Sequence, residues 1–176
     1  MTLVLGVWMA STSAQVPMPA EGLSTSAEYI VGFVRHVRWS DEERLPAWRV
    51  CIVGELPREQ ERAYAGRIVR GKPFAVLHLE TDDPLGDCQV LDLTTVSSTR
   101  AQQVLSQVRG QPILAVGTGA EFCSAGGQIC LHFASDGAQS RRKFEVNLST
   151  IKESKLQASA RLLTVGTVRA GSEEPR

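Results

Sequence analysis

Two hydrophobic periods alternate along this chain. Ile30, Phe33, Val34 and Val37 recur at helical spacing, with Arg35 and Arg38 towards the other side. They predict an amphipathic helix capped by Ser24 or Thr25, with Glu28 near its first turn, ending near Trp39. Short apolar runs follow. Arg49–Gly54, Phe74–Leu79, Cys88–Leu93 and Ile113–Gly117 read as buried strands. Between them, Pro57 opens a charged helix through about Tyr64, Asp82–Asp87 forms a turn, and Thr99–Val108 forms a helix stopped by Gly110. Ala101, Val104, Leu105 and Val108 share one face of that helix. Strands alternating with helices imply a parallel sheet covered on both faces.

The pattern changes in the last third. Gln128–Phe133 and Lys143–Leu148 flank a turn at Asp136-Gly137 and read as an antiparallel hairpin at one sheet edge. A final helix is expected from about Ser154 to Val165, carrying Leu156, Ala160, Leu162 and Leu163. The fold class that follows is a single three-layer, Rossmann-like α/β domain over residues 24–169 with a mostly parallel sheet. Residues 170–176 read as a polar tail.

The N-terminus bears on the compartment. Met1–Ala10 is apolar and uncharged, and Ser11–Ala14 are small. Residues 1–14 therefore read as a signal-peptide-like segment cleaved after Ala14, and residues 15–23 as a flexible lead. No Lys or Arg precedes the run, and a buried N-terminal strand is the competing reading. The run is shorter than the roughly 20 residues that span a bilayer. A periplasmic protein, soluble after cleavage, is the expectation. Lys+Arg and Asp+Glu are both 19, so the excess of positive charge expected of a nucleic-acid binder is missing.

Export would give the four cysteines a meaning. Cys123 and Cys130 bracket a Gly-rich turn, which makes a local bridge easy; Cys51 then pairs with Cys88. Four buried thiols in a cytosolic protein are the alternative. Metal is disfavoured because no C-x-x-C pair exists and the three histidines are scattered. No cofactor is expected either. Gly117-Thr118-Gly119 followed by Phe122 superficially resembles a dinucleotide loop, but Phe122 replaces the third glycine. A turn is the better reading. No G-x-S-x-G elbow is present, and His36, His78 and His132 read as packed or edge residues. No catalytic residue and no enzyme activity are expected. Arg141-Arg142-Lys143 is the densest basic run, and with Arg35 and Arg38 it forms a candidate patch for an anion or partner. A solvated hairpin end is the plainer reading of that run.

Several segments together resemble a known family. They are Tyr29–Trp39, Arg49–Gly54, Cys88–Leu91, Gly126-Gly127-Gln128-Ile129, Arg142-Lys143-Phe144-Glu145-Val146-Asn147-Leu148 and Leu156–Leu163. In order and spacing they are similar to the YfiR family from about residue 26 to 168. Two departures stand out: Ala158-Ser159-Ala160-Arg161 replaces consecutive serines, and Gly166 stands where many members keep a helical Ala. The resemblance implies a periplasmic, commonly dimeric α/β domain with the bridges Cys51–Cys88 and Cys123–Cys130. It further implies repression of an inner-membrane diguanylate cyclase through its periplasmic region, with an OmpA-like outer-membrane lipoprotein as a second partner and control of cyclic-di-GMP and biofilm formation. A periplasmic small-molecule sensor is the alternative from another class.

Overall fold

The computed structural model describes residues 26–55, 57–80, 83–132 and 143–169. In chain order the elements begin with α1 (Ser26–His36), β1 (Val37–Arg38) and a 3-10 turn (Glu42–Arg44). Next come β2 (Trp48–Val53), α2 (Arg58–Tyr64), β3 (Ile68–Val69), β4 (Lys72–Leu79), β5 (Val90–Asp92) and α3 (Ser98–Val108). The chain continues with β6 (Leu114–Thr118), α4 (Ala120–Ser124), β7 (Ile129–His132) and β8 (Lys143–Asn147). It closes with α5 (Leu148–Glu153), β9 (Gln157–Ala158), α6 (Ala160–Val165) and β10 (Thr167–Arg169).

Eight strands form one sheet in the order β10-β8-β7-β6-β5-β2-β4-β3. The run from β4 through β7 is parallel, and β10 joins β8 in parallel. The pairs β7–β8 and β3–β4 are antiparallel. Strand alternation loads both faces. Val50, Ile52, Val90, Leu114, Val116, Ile129 and Leu131 pack under α1, α5 and α6. On the opposite face, Cys51, Val53, Leu91, Leu93, Ala115 and Cys130 pack under α3 and α4. This is the mostly parallel, two-sided α/β sheet that the alternation predicts.

Three expectations change. The hairpin strand β8 is not the edge, because β10 pairs outside it. The expected final helix is broken. Lys155 adopts φ 57, Gln157–Ala158 pair antiparallel with β1, and the Ser159 side chain caps α6 by accepting from Leu162 N. The strand from Lys143 ends at Asn147, whose side chain caps α5 by accepting from Thr150 N. Both breaks come from Asn and Ser side chains competing for backbone donors, a local effect that apolar spacing does not register. The expected helix cap at Ser24 or Thr25 and the turn at Asp136-Gly137 lie outside the described residues.

One cation joins several of these elements. Arg70 and Gly71 have φ of 49° and 75° and form the tight turn between β3 and β4. A left-handed conformation costs a non-glycine residue roughly 1–2 kcal/mol, and the Arg70 side chain offsets it. Its Nε and Nη2 donate to Glu42 Oε1 and Oε2 at 2.9 and 3.0 Å. Its Nη1 and Nη2 donate to the carbonyls of Val34 and Val37, at 2.5 and 3.2 Å, at the C-terminal end of α1. The guanidinium lies 4.6 Å from the Trp48 ring centroid, and Trp48 Nε1 donates to Val69 O at 2.8 Å. Burial opposes ionisation of Glu42, but the hydrogen bonds and charge of Arg70, with help from Trp39 N and Arg38, hold its carboxyl below the ordinary 4.5.

Replacing Arg70 with Ala strands Glu42 and two carbonyls. Urea denaturation of Arg70→Ala is expected to show a loss of about 2–4 kcal/mol, with Arg70→Lys recovering little because it cannot make the bidentate pair. A carboxyl with a depressed folded pKa contributes stability above its ordinary value and loses it as pH falls through the folded one. The Glu42 contribution is therefore complete above pH 4.5 and fades below it. Glu42→Gln is expected to flatten the acid limb of a midpoint-versus-pH curve; an unchanged limb contradicts this role.

Candidate functional site

The motifs of the last third converge at the amino end of the parallel strands. The C-terminus of α3, the turn after α4, the end of β8, α5 and β10 surround a recess of about 410 Å³ there. Arg109, Ser124, Asn147, Ser149, Glu153 and Arg169 line it. Gln128, in the Gly-Gly-Gln-Ile turn, is buried at its base. Its Oε1 accepts from Ala115 N, and its Nε2 donates to Ile113 O and Ser154 Oγ, at 2.9–3.0 Å. One amide thus fixes β6, β7 and the end of α5. Asn147 donates through Nδ2 to Cys123 O at 3.1 Å and accepts at Oδ1 from Ser149 Oγ at 2.7 Å. Arg169 Nη1 donates to Ser124 Oγ at 2.9 Å, while its Nε lies 2.5 Å from Glu145 Oε1. His132 Nε2 stands 3.5 Å from the other Glu145 oxygen.

Both expected disulfides are present, Cys51–Cys88 and Cys123–Cys130, with Cα separations of 5.7 and 5.8 Å. All four half-cystines are buried on the α3/α4 face. In the chain-entropy picture the longer loop contributes about 4 kcal/mol and the shorter about 2.5 kcal/mol. The shorter one holds the α4 turn against β7 at the wall of the recess.

The glycines near it serve packing. A Cβ on Gly117 or on Gly127 would run into the Phe122 ring. Phe122, which breaks the dinucleotide pattern, is clamped between the two. Gly117-Thr118-Gly119 leads through Gly119 at φ 82 into the five-residue α4. Gly166 is similar: its missing Cβ is where the Phe144 ring lies. That accounts for the departure from a helical Ala at this position.

The basic residues singled out from the sequence do not meet in one place. Arg35 and Arg38 lie at the C-terminal end of α1 and in β1, and Arg38 is bound to Glu42 at 2.9 Å. That end of α1 faces the amino ends of the strands, where Trp39 Nε1 donates to Pro112 O. Lys143 starts β8 opposite His132, at the carboxyl end. Arg141 and Arg142 lie outside the described residues. The three histidines are dispersed: His36 Nδ1 is 3.3 Å from Ser159 Oγ, His78 is exposed on β4, and His132 faces Glu145. Arg109 and Arg169, absent from the sequence-based candidates, line the recess instead. Only their chain positions, one residue before Gly110 and one residue before the expected tail, could have drawn attention to them.

At the carboxyl end a polar network closes the sheet. Asp92 is 1% exposed; it accepts from Thr94 N and Oγ1 and from Tyr64 OH, at 3.1, 2.6 and 3.1 Å. Burial raises its carboxyl above the usual range, against the lowering effect of these three donors. Burial first, and the neighbouring Asp92 second, also push the Tyr64 hydroxyl up. Ser26 Oγ accepts from Gln60 Nε2 and donates to Thr94 Oγ1 at 3.2 Å. The network ties α2 and the start of α1 to β5.

Among the described residues, no helix is long and apolar enough to cross a membrane. Residues 24–167 match the family described as YfiR/HmsC-like. The chain belongs to that family. Its members are periplasmic regulators of cyclic-di-GMP signalling rather than enzymes. The match runs from before α1 to the first residue of β10, so the Gly-Gly-Gln-Ile turn and the Lys-Phe-Glu-Val-Asn strand belong to the family region.

The clamp on Phe122 gives a direct test of how the recess is built. Gly127→Ala must displace a buried ring and is expected to cost about 1–3 kcal/mol in thermal or urea unfolding. Gly126, at φ 104 with open space around its Cβ position, tests the backbone alone. Substituting it with Asn is expected to cost about 1–2 kcal/mol from backbone strain alone, because φ 104 lies beyond the left-handed region that Asn tolerates.

Proposed function

We propose that this chain represses an inner-membrane diguanylate cyclase by binding the cyclase's periplasmic region at the recess beside Cys123–Cys130. The observation that carries this reading is the convergence of family-region residues on that recess. Gln128, Asn147 and the Cys123–Cys130 bridge fix its wall, and Arg109, Ser124 and Ser149 present polar side chains from it. Repression needs no reacting group. It requires a surface that binds the inactive cyclase better than the active one, and the shift in population equals that difference in affinity. A wall fixed by buried amides and a disulfide keeps the ordering cost of binding low. The segment before α1 would direct export, and an OmpA-like lipoprotein competing for the chain would release the cyclase.

A second reading, a small-molecule sensor, is favoured by one observation: about 410 Å³ lies within the ordinary range for ligand sites. The recess is at the amino ends of the strands, however, and not at the carboxyl ends where open α/β sheets usually bind ligands.

Immobilised wild-type chain is expected to retain a diguanylate cyclase, identified by peptide mass spectrometry, from detergent-solubilised membranes of its own cells. Arg109→Glu with Ser149→Arg is expected to reduce that retention about ten-fold or more, with unfolding midpoints unchanged. Retention equal to wild type moves the docking surface elsewhere, and no retained cyclase by either protein removes the repression reading. Ligand-dependent melting without cyclase capture would instead favour the sensor.

A further inference from the structure

We propose that the outer edge of β4 is a docking strip for an extended strand of another protein, which adds to the sheet antiparallel to β4. In the strand order this edge lies at the far end from β8 and β10, which border the recess. Phe74–Leu79 pair with β2 on one side, from Trp48 opposite Phe74 to Val53 opposite Leu79. On the other side β3 reaches only Lys72 and Pro73. Phe74–Leu79 therefore have a strand neighbour on one side only.

The two-residue turn at Arg70-Gly71 fixes which groups point outward. Its closing pair, Val69 and Lys72, exchanges both backbone hydrogen bonds, so the N–H and C=O of Lys72 face β3. Strand alternation then turns the N–H and C=O of Phe74, Val76 and His78 outward, and those of Ala75, Leu77 and Leu79 towards β2. Among the described residues, no hydrogen bond reaches these outward groups. They are donor-acceptor pairs repeated every second residue, about 7 Å apart. A neighbouring extended backbone repeats that spacing and satisfies each pair.

Exposed edges are usually guarded by a charge, a proline or a covering element. From Phe74 to Leu79 there is no Lys, Arg, Asp, Glu or Pro. Two of the four large hydrophobic side chains exposed among the described residues, Ile68 and Leu77, stand at this edge. Leu77 sits beside Cys51 on the α3/α4 face, and His78 is exposed on the α1 face. The charges give the partner its direction. Lys72 marks one end of the strip. Glu80 marks the other, with Asp83 held to its backbone N–H at 2.8 Å. An antiparallel strand that starts with a basic residue beside Glu80 and ends with an acidic one near Lys72 complements both ends. Antiparallel pairing is also the slightly stronger ladder, and parallel sheets commonly carry an antiparallel edge strand. An apolar residue opposite Leu77 covers it, so the partner segment alternates apolar and polar residues between its two charges.

The probe is the fluorophore-labelled peptide Lys-Val-Thr-Val-Thr-Val-Thr-Glu, titrated with the full chain and followed by anisotropy. Binding with a Kd of about 10–300 μM is expected, and a scrambled peptide is expected to bind about ten-fold more weakly or worse. Hydrogen exchange is expected to slow at the amides of Phe74, Val76 and His78 when the peptide is bound. His78→Pro removes an outward N–H; it is expected to keep the melting midpoint and to weaken the peptide about ten-fold. Leu77→Pro removes an N–H that bonds β2 and is expected to melt lower. Leu77→Lys places a charge on the strip and is expected to weaken the peptide as much as His78→Pro, which it replaces if that variant folds poorly. No binding, equal binding of the scrambled peptide, or wild-type affinity in either folded variant overturns the proposal. If the peptide instead lowers the sedimenting mass of the chain, a second copy occupies the edge and the proposal fails.

Discussion

The Arg70 guanidinium sets the geometry on which the α1 side of the fold depends. From the tip of the β3–β4 turn it touches the C-terminal end of α1, the 3-10 turn and the first residue of β2. Trp48 carries this constraint inward. Its ring lies 5.1 Å from that of Trp39, whose indole nitrogen donates to Pro112 O just before β6. A cation held by a bidentate carboxylate, two carbonyls and an aromatic face has few other arrangements. With α1 fixed, Ser159 docks on the His36 carbonyl, and the groove between α1 and α6 follows.

The two faces of the sheet divide the work. The α1 face holds the large aliphatic and aromatic cluster, including Trp39 against Trp48, tilted by 49°, and Phe33–Phe144 at 5.0 Å. The α3/α4 face is a smaller cluster that contains both disulfides. Covalent links on the smaller face supplement limited apolar burial, the usual role of bridges in exported domains. The recess opens beside this stapled face, where turns and short helices are held by single side chains. A surface of that kind suits binding without chemistry, and it agrees with membership in a family of periplasmic regulators.

The sequence was most legible where side chains pack against a sheet buried on both faces. β2, β4, β5, β6 and α3 fall within two residues of their expected bounds, because continuous apolar runs and an i, i+3, i+4 stripe have few other solutions. It was least legible after Asn147. There Asn147 and Ser159 end and start elements by accepting single backbone hydrogens, and the positive φ of Lys155 interrupts an otherwise acceptable helical stripe. β3 was missed because Arg-Gly is not among the dipeptides that announce a tight turn. In the candidate site, Gln128 and Asn147 were visible within quoted motifs, but their buried amide contacts were not.

By itself, the sequence determined the α/β alternation, the two-faced core, the pairing of four cysteines into two bridges and the family to which the chain belongs. These depend on local period, spacing and order, which a one-dimensional string carries. Only the tertiary structure decided that β10 covers β8, that Arg35 and Arg38 lie at the opposite end of the sheet from Lys143, and that Arg109 and Arg169 share a recess. These depend on which distant segments pack together, and that is fixed by contacts such as Arg70 on Trp48 and Phe122 between Gly117 and Gly127.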